Sequence, residues 1–184
     1  MAKIHLKIDD PNHTFIIAEA GSNWKSGSYE EDLEQAKKLI KIASNSGADA
    51  VKFQTYRADT VYAYNAGNSN YLAEQGINKK INEIFEYLSM PYKMISELAQ
   101  ICNDEKVIFM STPFSIEDAK QIDPFVSLHK IASFEINHVR LIEFLAKTKK
   151  PILISTGAST FDEIDFAINL VKNNANNEIG LLQC

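Results

Sequence analysis

Residues 47–57 read GADAVKFQTYR and pass from the end of a helix, through a strand, to a polar junction. Gly47 follows a stretch with apolar residues at helical spacing, and glycine is common just past the end of a helix. The run Ala50–Thr55 is short and apolar enough to be a strand buried on both faces. The stretch therefore predicts one unit of a parallel βα fold.

The same alternation of apolar runs and amphipathic stretches recurs along the chain. Short apolar runs predict six strands: Phe15–Glu19, Ala50–Thr55, Val107–Ser111, Ser127–Ile131, Pro151–Ser155 and Ile179–Leu182. Amphipathic stretches between them predict helices: roughly Tyr29–Ser46, Pro91–Asn103, Ile116–Gln121, His138–Thr148 and Thr160–Asn173. This alternation is typical of a parallel sheet, because each parallel connection needs a crossover.

One segment breaks this rhythm. The 35 residues from 56 to 90 lie between the second strand and the helix at Pro91, and they are polar and rich in Asn and Tyr before they become helical. Loops of this length inside a compact domain are usually functional. We therefore expect this segment to be a binding loop or a lid.

The composition favours a globular protein that handles small molecules. The chain has 184 residues, 45% of them hydrophobic, which is enough for one domain with a substantial core. The net charge is −5 and the 19 basic residues are scattered, which argues against a nucleic-acid or anionic-membrane surface. No stretch approaches the roughly eighteen apolar residues that span a bilayer, and none resembles a signal peptide. We expect a cytoplasmic protein, which agrees with its two cysteines, Cys102 and Cys184.

The fold class is predicted to be α/β. The junction AEAGSN after the first strand lacks the GxGxxG spacing of a dinucleotide fold, and the chain contains no P-loop, so a closed barrel is favoured. A complete TIM-type (β/α)8 barrel needs about 250 residues. We therefore expect residues 1–184 to be the N-terminal portion of such a barrel, truncated to about its first six strands.

Two lysines are predicted to point into the barrel. Alternation along the second strand places Lys52 and Gln54 on the inner face, and Lys130 repeats the arrangement near the end of the fourth strand. A buried lysine is costly unless it meets an anion, although a lysine at the rim can also extend into solvent. Two such lysines predict a ligand with more than one negative charge, such as a phosphorylated carboxylate.

Further polar residues stand at other strand ends, where parallel βα folds place their sites. Glu19 could be a proton shuttle, a metal-shell group or an ion-pair partner of a barrel lysine. Thr112, Ser133 and Ser155 supply hydroxyls that suit oxyanions, although each one alone could be a helix cap. Their recurrence at successive junctions predicts a composite anion site.

Two other residue types carry less information. His129 precedes Lys130 and is expected to point outward toward the helices, so it is not predicted to bind a metal. Trp24 lies in the first loop, where it could stack on a sugar or pack against the next loop.

The motifs IIAEAGSN, GADAVKFQTYRAD, MSTPFS, HKIASFEI, KPILISTGAST and LLQC, in this order, resemble the N-acetylneuraminate (sialic acid) synthase family over Phe15–Cys184. The resemblance implies a transferase of sialic acid and carbohydrate biosynthesis, built on a barrel and a C-terminal antifreeze-like domain that is absent here. Such enzymes condense phosphoenolpyruvate with an N-acylated amino sugar, such as N-acetylmannosamine or its 6-phosphate. The products are a nine-carbon keto sugar acid and phosphate, and the full-length enzyme is expected to be a homodimer.

The resemblance also implies roles for individual residues. Those implied to hold the carboxylate end of phosphoenolpyruvate are Lys52, Thr112 and Ser133. Lys130 and Ser155 would hold its phosphate, Gln54 would contact the sugar, and Glu19 would lie beside the reacting carbons.

A divalent metal, Mn²⁺ or Mg²⁺, is also implied, with ligands expected beyond Cys184 and none within this chain. The first loop departs from the family pattern, because Asn23-Trp24 stands where Asn-His is common. This departure points to a related nonulosonate substrate, such as a diacetamido sugar.

Two alternatives to the synthase stay open. The first is a lyase-type aldolase in which Lys130 or Lys52 forms a Schiff base, since a lysine of lowered pKa is a nucleophile. The second is a barrel fragment without catalytic activity, because residues that the family uses would lie outside these 184 residues.

Overall fold

The computed structural model describes residues 8, 10–68, 74, 76, 78–175 and 178–184. Within these residues the strands are β1 Ile17–Gly21, β2 Ala50–Thr55, β3 Ile108–Pro113, β4 His129–Ile131, β5 Ile152–Ser155 and β6 Ile179–Leu182. The helices are α1 Tyr29–Asn45, α2 Ala58–Val61, α3 Ile81–Tyr87, α4 Tyr92–Asp104, α5 Ile116–Ile122, α6 Val139–Lys147 and α7 Phe161–Asn174. Short 3₁₀ helices cover Asp123–Phe125 and Ser133–Glu135.

The strands form two three-stranded parallel sheets, with the orders β1-β2-β3 and β4-β5-β6. The α/β class with parallel strands and crossover helices is confirmed. β3 and β4 lie side by side, but no ladder joins these two strands in the part of the chain that the structure describes. β4 spans three residues instead of the five predicted, so it offers few backbone groups for pairing beyond those bonded to β5.

The first strand begins and ends two residues later than the sequence predicts. Pairing starts at Ile17, because the preceding backbone N–H of Ile16 donates to the carboxylate of Asp49. The strand continues to Gly21 through a bulge, since Glu19 pairs with Lys52 and Gly21 with the next residue of β2. Gly21 has a φ of 53°, which favours glycine.

Local signals explain where the helices begin. Ser28 and Glu31 form a capping box at the start of α1, and Thr160 with Glu163 forms another at the start of α7. Each box satisfies backbone N–H groups that have no partner within the helix. These caps fix the points where the chain leaves the strand-end loops.

The core has an outer part between helices and sheets and an inner part that joins the sheets. The inner cluster of buried residues consists of Ala50, Ile108, Met110, Leu128 and Leu153. Ala50 lies on the same face of β2 as Lys52, and Leu128 lies two residues before Lys130. The predicted alternation is therefore confirmed, and the apolar interior lies beneath the polar strand ends.

The long segment after β2 is tied together at its base. Arg57 Nη1 donates to the carbonyls of Tyr56 at 2.7 Å and Met90 at 2.9 Å, and its guanidinium lies 3.7 Å from the ring centre of Tyr92. α2 and α3 belong to this segment, and parts of it lie outside the described residues. In the described part of the chain, no helix has both the length and the apolar character needed to cross a membrane.

Candidate active site

The first half of the candidate site stands at the carboxyl ends of β1, β2 and β3. Lys52 Nζ forms an ion pair with the carboxylate of Glu19, its neighbour in the β1–β2 register, and lies 3.4 Å from Thr112 Oγ1. Gln54 is the register partner of Thr112. A Cβ on Gly21 would lie 3.3 Å from Glu19 Oε1 and 3.9 Å from Gln54 Nε2, so the glycine leaves room for both side chains.

The second half stands at the ends of β4 and β5. Lys130 is 5% exposed, and its ammonium donates to Ser155 Oγ at 2.6 Å and to the carbonyl of Ile131 at 2.7 Å. Ser133 Oγ accepts the backbone N–H of Gly157 at 3.1 Å. A Cβ on Gly157 would lie 3.0 Å from Ser133 Oγ, so a larger residue here would require Ser133 to shift.

The two halves influence each other electrostatically. Burial, and then the charge of Lys52, lower the pKa of Lys130 to about 8, while Cys184 and Glu19 act in the opposite direction. A negative ligand between the two lysines would raise this pKa again, because it stabilises the ammonium. The arrangement is therefore suited to an anion that contacts both sheets.

Cys184 is a member of the site that sequence reasoning missed. Hydrogen bonds with Ser155 and Ser133, and then the charge of Lys130, hold the pKa of its thiol below the ordinary value. Its Cβ lies 3.0 Å from the position of a Cβ on Gly157. The LLQC motif contained the signal, but cysteines were weighed only for disulfides and metals.

Trp24 is not exposed in the first loop. Of the two alternatives for the ring, packing rather than stacking on a sugar is confirmed, because the side chain is 1% exposed and belongs to the outer core with Ala20 and Phe53. Lys25 forms an ion pair with Asp32 at 2.6 Å beside this ring. The indole is therefore buried beneath the loop.

His129 faces the helices, as the alternation predicts. Its Nε2 lies 3.1 Å from both Asp123 Oδ1 and Thr148 Oγ1, and the side chain is fully buried. Burial lowers its pKa to about 4, despite the opposing effect of Asp123. The imidazole is therefore neutral near pH 7 and takes no part in the strand-end site.

A row of aromatic rings connects the long segment to the rim of the site. Tyr56, 2% exposed, contacts Phe85 and Phe114, with ring centres 5.1 and 5.6 Å away, and its hydroxyl lies 3.1 Å from Ser22 Oγ. Phe114 in turn contacts Phe134, which is 68% exposed next to Ser133. The rings come from segments that follow three different strands, so single-strand alternation could not predict this contact.

The described residues do not fit a metal centre. Among them, no three His, Cys, Asp or Glu side chains are grouped closely enough to hold a metal ion.

Parallel βα units that end in two lysines, three hydroxyls and a carboxylate define an α/β domain with a cationic strand-end site. The family model for the NeuB family matches residues 39–184. The chain belongs to the NeuB family. The predicted relationship to the sialic acid synthases is thus confirmed.

Individual relatives cover nearly the whole chain. It is 35% identical to a pseudaminic acid synthase of Campylobacter jejuni, over 92% of this chain and 49% of the relative. It is 37% identical to an N,N'-diacetyllegionaminic acid synthase of Legionella pneumophila, over 92% and 48%. The solved N-acetylneuraminic acid synthetase of Leptospira borgpetersenii, in complex with citrate, has a TM-score of 0.79 and 26% identity, over 94% of this chain and 54% of that one. The chain spans about half the length of the curated relatives that it matches.

Proposed function

We propose that the chain carries the phosphoenolpyruvate-binding part of a nonulosonate synthase, which condenses phosphoenolpyruvate with an N-acylated amino sugar. The observation that carries the proposal is that Lys52 and Lys130, on separate sheets and each beside a hydroxyl, act on each other electrostatically in a NeuB-family chain. Phosphoenolpyruvate has a carboxylate at one end and a phosphate at the other. Two cations on separate strands are complementary to these two ends.

The proposed roles of the residues are those that the family resemblance implies. The carboxylate end of phosphoenolpyruvate would be held by Lys52, Thr112 and Ser133. Lys130 and Ser155 would hold the phosphate, because their 2.6 Å contact places an ammonium and a hydroxyl side by side. Gln54 would face the sugar, and Glu19 would lie beside the reacting carbons.

In the proposed reaction, the methylene carbon of phosphoenolpyruvate attacks the aldehyde carbon of the open-chain sugar, and the aldehyde oxygen takes up a proton and becomes a hydroxyl. Water then adds to the resulting cationic carbon and releases one proton. The bond between this carbon and the bridging oxygen of the phosphate ester breaks and expels phosphate, and the added hydroxyl loses its proton to become the keto group. Lys130 would stabilise the negative charge of the leaving phosphate in a site that is already oriented.

The proposal extends to the whole barrel. We infer that β1 to β6 are the first six strands of a (β/α)8 barrel, in a protein that acts as a homodimer with Mn²⁺ or Mg²⁺. The relatives are named for different sugar acids, so the proposal specifies the class of N-acylated amino sugars rather than one member. Trp24 stands in place of the family's usual histidine, so a diacetamido sugar is kept as a candidate beside N-acetylmannosamine and its 6-phosphate.

The test is phosphate release by the protein as it is encoded in full. Phosphate release should require both phosphoenolpyruvate and an N-acylated amino sugar, in the presence of Mn²⁺ or Mg²⁺. The sugars to be tested one at a time are N-acetylmannosamine, its 6-phosphate and diacetamido hexoses. A mass spectrum should show the keto sugar acid. Absence of product with every sugar, while phosphoenolpyruvate stays intact, would contradict the proposal.

The aldolase is a second candidate, because burial lowers the pKa of Lys130 to about 8 and so increases the fraction of neutral amine. Borohydride reduction in the presence of pyruvate distinguishes the two enzymes. An aldolase would gain a stable pyruvate adduct on Lys130 or Lys52, detected by peptide mass spectrometry. A synthase would gain none.

A further inference from the structure

Glu19 and Lys52 form the ion pair of the strand-end site, and the two side chains differ in freedom. The Lys52 side chain is 12% exposed and also contacts Thr112, whereas that of Glu19 is 47% exposed. A half-exposed carboxylate can exchange its ion pair for water at low cost, because exposed pairs contribute little free energy. Glu19 is therefore the partner that can move.

Lys130 has a different environment. Its ammonium donates to a hydroxyl and to a backbone carbonyl, which are neutral acceptors. Among the residues that the structure describes, no carboxylate lies within ion-pair distance of Lys130. The Lys130 end is thus open to a ligand phosphate, whereas the Lys52 end already holds a carboxylate from the protein.

The ligand proposed above would bring a second carboxylate to Lys52. Two carboxylates on one ammonium repel each other, and the repulsion is large in a partly buried site. The space beside Glu19 allows a movement, because Gly21 presents no side chain to it and a Cβ there would lie only 3.3 Å from Oε1. The bulge at Gly21 thus leaves space into which Glu19 can rotate.

We propose that Glu19 is an internal competitor, whose carboxylate occupies the place on Lys52 that the carboxylate of the ligand takes, and which leaves when the ligand binds. This inference rests on the proposed function for the identity of the ligand. It also assigns Glu19 a part in release, because its return to Lys52 would displace the carboxylate of the product.

The test is calorimetric titration of the protein as it is encoded in full, with phosphoenolpyruvate, pyruvate and inorganic phosphate as separate probes. Glu19→Gln should bind phosphoenolpyruvate and pyruvate more tightly by a similar factor, about two- to fivefold, because a half-exposed ion pair is released at low cost. Inorganic phosphate, which is expected at the Lys130 end, should bind with nearly unchanged affinity, because Glu19 has the smallest of the electrostatic effects that act on Lys130. Glu117→Gln is the matched control, because Glu117 has a 56% exposed side chain and pairs with Lys120 away from the site.

Three results would overturn the competition. These are unchanged affinity for both carboxylate ligands, weaker binding of both, or an equal gain for phosphate, which would indicate a general field effect. A different result separates the two proposals. If Glu19→Gln binds pyruvate more tightly but neither the unmodified protein nor the variant binds phosphoenolpyruvate, the competition stands and the proposed function fails.

A crystal structure of the unmodified protein with phosphoenolpyruvate tests the same point without a substitution. The Glu19 carboxylate should then lie out of contact with Lys52 Nζ. Persistence of the ion pair beside bound phosphoenolpyruvate would contradict the proposal.

Discussion

At the scale of single residues, Lys130 and Gln54 are assigned to opposite substrates. Lys130→Ala should raise the Michaelis constant for phosphoenolpyruvate, because loss of one partner of a desolvated charge pair costs about 2–5 kcal/mol, or roughly thirty- to several-thousand-fold. Gln54→Ala should raise the constant for the amino sugar and leave that for phosphoenolpyruvate nearly unchanged. Steady-state kinetics measure both Michaelis constants in the protein as it is encoded in full. Lys120→Ala, at an exposed lysine, is the control. Equal effects on both substrates would show that the assigned roles are wrong.

His129 should make folding stability depend on pH. Its pKa in the folded chain is lowered to about 4 from 6.5, so between these values the unfolded chain binds the proton and the folded chain does not. The free energy of unfolding should therefore be highest above pH 6.5 and should fall as the pH is lowered toward 4. The loss that arises from His129 should be on the order of 3 kcal/mol. Urea denaturation of the chain between pH 4 and 7.5 measures it, and His129→Gln should have a flatter profile. The same slope in both proteins would exclude His129 as the source.

Much of the site could be predicted from the residues themselves. Alternation along a strand placed Lys52 and Gln54 on the inner face, and the same rule placed Lys130 there. The LLQC motif places Cys184 just after the sixth strand, but its contact with Ser133 was missed, because that contact depends on how β4 and β6 flank β5. The sequence pattern also could not predict whether Trp24 is exposed, since only the tertiary structure shows what covers the ring.

At the scale of elements, Arg57 holds the two ends of the long segment 56–90 together. Arg57→Ala removes both carbonyl contacts and the stacking on Tyr92, so the segment should open more often. Limited proteolysis should therefore cut within residues 56–90 several times faster, whereas the urea midpoint should change little. Arg140→Ala, on α6, is the control. Unchanged cleavage would show that the aromatic contacts of Tyr56 hold the segment without Arg57.

The bounds of the elements could be predicted closely where a cap or a glycine marks them. Thr160 with Glu163 marked the start of α7, and the limits of β2 were correct. The shift of β1 was not predictable, because it arises from a contact with Asp49, which is distant in sequence. The division into two sheets also could not be foreseen, since it depends on the pairing length of β4.

At the scale of the molecule, β1 and β6 are the outer strands of the two sheets, and an apolar cleft of about 240 Å³ lies between them. Phe15, Ile17 and Leu182 line it. A protein of these 184 residues alone should therefore self-associate, because unpaired strand edges and apolar surface favour pairing with another chain. Light scattering across a range of concentrations tests this. A monodisperse monomer with one sharp melting transition would contradict it.

The absence of a ladder between β3 and β4 also bears on which ligands can fit. Lys52 belongs to one sheet and Lys130 to the other, so the gap between their ammonium groups is set by the side chains beneath them rather than by backbone hydrogen bonds. Packed interiors respond to a change of one methylene. A substitution at Met110 or Leu153 could therefore alter the ligand length that the protein accepts, with no change to any residue that touches the ligand.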